Sequence, residues 1–196
     1  LLRRLPCLRN RNGLQIMELI QKAQLACAVY PSSDPLEFRL LQDQTSERVR
    51  NLFDVPVFVT PFSVSGSDGC VVFAGEEALI LLAGTADVSD VLRDCDTKLI
   101  GWSRHSGKVT RGFWKAAILP MAHIIDLLGS VRELSFIGHS LGAAAAQIMA
   151  AEFVQAGYRV KEITCFGTPR GFDKDAAKYY NALIGDITCR VVNIND

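Results

Sequence analysis

The sequence predicts an α/β fold built on a doubly wound, mostly parallel sheet, and three observations carry that prediction. LSFI (134–137), EITCF (162–166) and ITCRVV (187–192) are short, apolar and nearly free of charge, as strands covered on both faces are. They alternate with helix-like segments at 112–129, 141–157 and 172–185. The order strand, helix, strand, helix, strand calls for parallel pairing through right-handed crossovers.

The remaining elements follow in chain order. Residues 1–11 are expected to be a frayed basic terminus, with four arginines in LLRRLPCLRNRNG, no acid, and an apolar part too short for a secretory core. Leu14, Met17, Ile20, Ala23, Cys27 and Tyr30 recur at helical spacing, so an amphipathic helix ends before Pro31, and a polar connector follows. SVSGSDG (63–69) signals a turn, and CVVFAG with ALILLAG reads as two strands joined by a tight hairpin. Pro120 is expected to kink the helix at 112–129, and Gly157 and Gly185 suit helix C-termini.

A chain of 196 residues that is 49% hydrophobic is long enough for one well-buried domain, and no linker or repeat divides it, so residues 1–196 are expected to form a single domain. Lys+Arg and Asp+Glu both number 21, and a chain with no net field gives no ground for binding nucleic acid. The longest largely apolar run, 136–151, is shorter than the roughly 20 residues a bilayer requires, so a soluble protein is expected. The six cysteines form no CxxC pair, which argues against metal. Cys70, Cys165 and Cys189 lie in apolar runs as small hydrophobes would, and this favours reduced thiols and a cytoplasmic rather than secreted chain.

The run FIGHSLGAA (136–144) places Ser140 between Gly138 and Gly142 with a strand before it and a small-residue helix after it. That is the setting of a nucleophile elbow, in which the serine takes a strained turn and the glycines let strand and helix approach closely. The competing assignment makes Ser140 a helix N-cap, which needs no glycine on either side. If Ser140 is a nucleophile, the backbone N–H of Leu141 can serve the oxyanion. Thr85 ends the strand-like run LLAGT, at the carboxyl edge where α/β sheets hold ligands, as a second donor or an ordinary turn residue. Asp196 also follows a strand, with Asp173, Asp175 and Asp186 as rival carboxylates in or beside a polar helix.

At this point the chain resembles the class 3 lipases, the family of fungal triacylglycerol lipases and their bacterial and plant relatives. LILLAGT is similar to the family's strand ending in Arg-Gly-Thr or Arg-Gly-Ser, with Asp90 and Asp94 at the spacing of its following acids. KVTRGFWKA is similar to its Val-His-x-Gly-Phe segment, GHSLGAA to its elbow, and TCFGTPRGF with RVVNIND to its Phe-Gly-x-Pro-Arg and Arg-Val-x-Asn-x-x-Asp segments. Departures are Ala83 for the arginine before Gly84, Val91 for a tryptophan, Thr110 for a histidine, and Ala143 for the second elbow glycine.

The resemblance implies an α/β-hydrolase-type sheet and a serine ester hydrolase acting on acylglycerols or related carboxylic esters, with no cofactor. It implies Ser140 as nucleophile, Asp196 as triad carboxylate, Thr85 and Leu141 as oxyanion hole, and Gly138, His139 and Gly142 as the elbow. Val88, Val91, Leu92 and Cys95 fall at i, i+3, i+4 and i+7, a short amphipathic helix that the resemblance makes a candidate lid with transient contact to a lipid interface. The partners in this fold run serine, acid, histidine, so the base is expected beyond Asp196 and the domain is expected to be incomplete at its C-terminus. His105, in GWSRHSGK, is the in-chain alternative; His139 reads as a supporting residue and His123 as a helix-surface one. The competing function is a lipase-like binding or regulatory module without turnover.

Overall fold

The computed structural model describes residues 19–29, 38–84, 96–102 and 105–192. Helices α1 (Leu19–Ala28) and α2 (Phe38–Arg50) precede strands β1 (Phe58–Val64), β2 (Ser67–Ala74) and β3 (Glu77–Leu82). A short ribbon, β4 (Leu99–Gly101) with β5 (Lys108–Thr110), leads into α3 (Arg111–Ile118) and α4 (Met121–Leu128). The chain then alternates through β6 (Glu133–His139), α5 (Leu141–Gln155), β7 (Arg159–Phe166), α6 (Lys174–Ile184) and β8 (Thr188–Val191). The main sheet has the order β1-β2-β3-β6-β7-β8, antiparallel across β1, β2 and β3 and parallel from β3 to β8. The α/β class and the mostly parallel sheet expected from the sequence are both present.

Alternation along the strands splits the core in two. Ala78, Ile80 and Leu82 of β3 join Leu134 and Phe136 of β6 in a cluster with α3, α4, α5 and α6. Leu79 and Leu81 join Cys70, Val72 and Ile137 in a second cluster with α1 and α2. From β3 to β8 each strand is laid on the same side of its predecessor, so right-handed crossovers stack their helices on one face. The other face is left to α1 and α2.

Several expectations require correction. The polar connector contains α2 and β1. Small polar residues, Thr45 and Ser46, are buried beside Val49 in α2, and Pro61 interrupts the β pattern of β1, which tolerates it as an edge strand. Of the expected stripe, Leu14, Met17 and Tyr30 lie outside the described residues; the buried stripe of α1 is Lys22, Leu25 and Ala26, continued by Val29 just after it, with Cys27 exposed. Lys22 occupies the inner face because it pairs with Glu162 on β7. Pro120 separates α3 from α4 rather than bending one helix. Gly157 has φ +87°, as a left-handed helix end requires, whereas Gly185 stays right-handed at φ −64° and opens a 3₁₀ turn. The SVSGSDG turn narrows to Ser65 and Gly66, both at positive φ (53° and 80°), which is the backbone of a two-residue hairpin turn.

Candidate functional site

Strand β6 ends at His139 and α5 begins at Leu141, so a single residue, Ser140, must reverse the chain. Its backbone stands at φ 52°, ψ −122°, a combination that costs a residue with a Cβ of order 1–3 kcal/mol. Neighbouring contacts hold it there. The Ser140 N–H donates to the Phe166 carbonyl at 2.9 Å, and its own carbonyl accepts from the N–H groups of Ala143 (3.1 Å) and Ala144 (3.2 Å). The hydroxyl makes no capping bond to α5 among the described residues, so the N-cap assignment is not what the geometry expresses.

The two glycines are required by packing. A Cβ on Gly138 would lie 2.5 Å from the Gly142 carbonyl oxygen, and one on Gly142 would lie 2.3 Å from the Leu82 carbonyl oxygen. The first turn of α5 is thus pressed against both its own strand and the end of β3. Leu141, first in the helix, has an N–H with no intrahelical acceptor by position and no other backbone acceptor among the described residues. Beside it lies a cavity of about 100 Å³ bounded by Leu82 and Gly84 at the end of β3, Ala116 of α3, and Leu141, Gly142 and Ala145 of α5. The β1–β2 turn closes one wall, where Ser67 Oγ donates to the Ala116 carbonyl at 3.0 Å and the Ala83 N–H donates to the Asp68 carbonyl at 2.9 Å.

The structure therefore brings Ser140, Leu141, Gly138, His139 and Gly142 together with Gly84. Thr85, the candidate lid residues Val88, Val91 and Leu92, residues 1–11, and Asp196 lie outside the described residues. Of the rival carboxylates, Asp175 and Asp186 are exposed. Asp173 caps α6, and its carboxyl is held below the ordinary value chiefly by the Ala176 N–H, with the Lys108 backbone second.

The histidines divide clearly. His139 lies along the turn at Gly167, with Nε2 3.7 Å from where a Cβ on that glycine would stand. His123 is exposed on α4. The His105 side chain is fully buried, with Nε2 3.1 Å from Glu152 Oε1, an oxygen that also accepts from Trp102 Nε1 at 2.8 Å. Its ring packs on Trp102 and Tyr179, at centroid distances of 4.3 and 5.0 Å. Glu152 is twelve residues along α5 from Ser140, or about 18 Å at 1.5 Å per residue. His105 is thereby excluded as a partner of Ser140, a separation the loop sequence GWSRHSGK could not reveal.

Burial pushes the Cys165 thiol up to about 12, and the Cys70 thiol is raised further by the same cause. Both behave as apolar side chains. Among the described residues, no group of histidine, cysteine and carboxylate side chains could hold a metal, and no helix is long and apolar enough to cross a membrane.

A family model described as lipase (class 3) matches residues 79–196, more than half of the chain. No curated protein sequence matches it. Among solved structures, one described as a triacylglycerol lipase whose catalytic centre is a serine protease triad is 19% identical with a TM-score of 0.73, over 96% of this chain and 74% of that one. The Rhizomucor miehei triacylglyceride lipase is 20% identical with a TM-score of 0.61, over 71% of this chain and 58% of that one. Lipase II from Rhizopus niveus is 17% identical with a TM-score of 0.66, over 88% of this chain and 69% of that one. The chain thus spans less than two thirds of the Rhizomucor miehei enzyme's length. At these identities the likeness shows the fold.

Proposed function

The chain belongs to the class 3 lipase family of carboxylic ester hydrolases, and from that premise we propose that it cleaves acylglycerols or related carboxylic esters through an acyl-enzyme on Ser140. The observation that carries this reading is the Ser140 backbone, strained at φ 52° and seated between two glycines whose contacts leave no room for a Cβ. Strain of this kind serves no capping purpose here. A turn of this kind sets the serine at the carboxyl edge of the sheet, the position of an elbow nucleophile, with Ser140 7% exposed.

In the proposed reaction Ser140 Oγ attacks the ester carbonyl and gives its proton to a neutral imidazole, while the carbonyl oxygen takes the negative charge. The Leu141 N–H and Thr85 stabilise that oxygen. The tetrahedral species collapses, the leaving alcohol takes the proton from the imidazolium, and water then repeats the sequence to release the acid. Asp196, following β8, orients the imidazole. The order serine, acid, histidine puts the base after the acid in this fold, in keeping with the remoteness of His105 from Ser140.

The test is covalent as well as kinetic. The full-length protein should hydrolyse nitrophenyl butyrate and take up one equivalent of an alkyl phosphonate, which peptide mapping should place on Ser140. Phosphonate on another residue, or no labelling of a folded full-length protein, would overturn the reading in favour of a binding module.

A further inference from the structure

Among the described residues Ser140 has one backbone tie beyond its own strand and helix, and it leads to β8. Its carbonyl serves α5, whereas its N–H donates to the Phe166 carbonyl at 2.9 Å. That carbonyl shares a peptide unit with the N–H of Gly167, which donates to the Val191 carbonyl at 2.9 Å. Because a peptide unit is planar and stiff, a single plate connects the strained serine to the last residue of β8. The plate is hinged at Gly167, whose φ of 55° is open to glycine at no steric cost. Its anchor is slight, since β8 is four residues long and, among the described residues, pairs with β7 alone.

A side chain supplies the second anchor. Arg190, opposite Cys165 in the β7–β8 register, donates from Nη2 to the Thr168 carbonyl at 3.1 Å. β8 thereby holds the turn at two points, the Gly167 N–H through backbone and the Thr168 carbonyl through the guanidinium. We propose that Arg190 is a positioning residue for the nucleophile: by clasping the turn it fixes the peptide between Phe166 and Gly167, and with it the Ser140 N–H. For its effect on turnover the proposal rests on the esterase reading of Ser140. β8 is also the strand that Asp196 follows, so the clasp sets the serine against the segment that supplies the proposed acid. Arg190 acts through the turn and touches no reacting atom.

Three variants of the full-length protein test the clasp. Arg190→Met keeps an aliphatic stem and removes the donor; kcat for nitrophenyl butyrate should fall about tenfold with KM little changed, the pattern of a misplaced nucleophile. Arg190→Lys restores a donor and should recover most of that loss. Arg159→Met breaks the 2.8 Å bond to Glu133 at the opposite end of β7 and should leave kcat unchanged. Amide hydrogen exchange reads the clasp without turnover. The Ser140 and Gly167 amides should exchange roughly tenfold faster in Arg190→Met and return to the parent rate in Arg190→Lys. The Ala156 amide, bonded to the Glu152 carbonyl at the far end of α5, should not change. Arg190→Gln, shorter and uncharged, takes the place of the methionine variant should that one not fold. Parent kcat together with parent Ser140 exchange in a folded Arg190→Met would overturn the proposal. So would a loss that Arg190→Lys leaves unrepaired or that the Ala156 amide shares, because either marks general loosening. If no ester is cleaved but Ser140 exchange rises in Arg190→Met and recovers with lysine, the clasp stands and the esterase reading fails. If esters are cleaved and neither readout moves, the clasp fails alone.

Discussion

The two ends of α5 carry two polar centres made by opposite means. At the N-terminal end Ser140 owes its position to backbone: a positive φ, two glycines, and a strand pressed against the first helical turn. At the C-terminal end Glu152 owes its surroundings to side chains: the Trp102 indole N–H and the His105 imidazole converge on one carboxylate oxygen beneath Tyr179. His105 Nδ1 is buried with no partner among the described residues, so the ring meets the carboxylate through Nε2 alone. Such a cluster joins the β4–β5 ribbon to α5. The comparison teaches that a serine and a histidine in one chain are candidates for a triad only if geometry brings them together, and here a helix of fifteen residues holds them apart.

The comparison can be broken from either end. The largest effect is expected for Ser140→Ala in the full-length protein, where kcat/KM for nitrophenyl butyrate should fall by a factor on the order of 10⁵ with the melting temperature little changed. His105→Gln should instead leave turnover per folded molecule near that of the parent, and a loss matching Ser140→Ala would restore His105 as the base. Next comes Glu152→Ala, which strips the Trp102 and His105 donors of their acceptor and should cost roughly 3 kcal/mol in urea unfolding. Gly142→Ala pushes a methyl group into the Leu82 carbonyl and should cost about 2 kcal/mol, with a greater loss of activity than of stability.

The smallest effect concerns acid. The Ala176 N–H depresses the Asp173 carboxyl, so Asp173 contributes stability above its ordinary value of 3.8, and that contribution is lost as pH falls through its lower folded value. Asp173→Asn keeps an acceptor at the cap and should flatten this part of the melting-temperature profile. A profile that stays as steep as the parent's would assign the acid sensitivity elsewhere, for example to Asp96, whose carboxyl is held down first by its hydrogen bond from Arg111.

What the sequence reveals follows the same division. The elbow is legible because its cause is local: two glycines at fixed spacing, an apolar strand before, alanines after. The hairpin of β2 and β3 is legible for a similar reason, since Gly75 at φ 63° falls between two apolar runs. Three features have distant causes and are not legible. Lys22 lies on the buried face of α1 because Glu162 meets it there. Thr45 and Ser46 are buried because α2 packs against β1. His105 is structural because Glu152, 47 positions along the chain, closes on it and on its loop neighbour Trp102. At the site, the strand-end Gly84 and the elbow are brought together, while the wall formed by Ala116 depends on the break at Pro120 and on a turn bond from Ser67.

The pairing of Lys22 with Glu162 also bears on how the chain emerges from the ribosome. The two residues are 140 positions apart, so at about 5–20 residues per second Lys22 waits on the order of ten seconds for its partner. Until β2 and β3, and later β6, follow, Leu25, Ala26 and Val29 have no sheet to lie on. A lysine set among them interrupts what would otherwise be a continuous adhesive surface on the nascent chain, and the same charge is neutralised once β7 arrives. Lys22 thus guards the helix during synthesis and fastens it at the end.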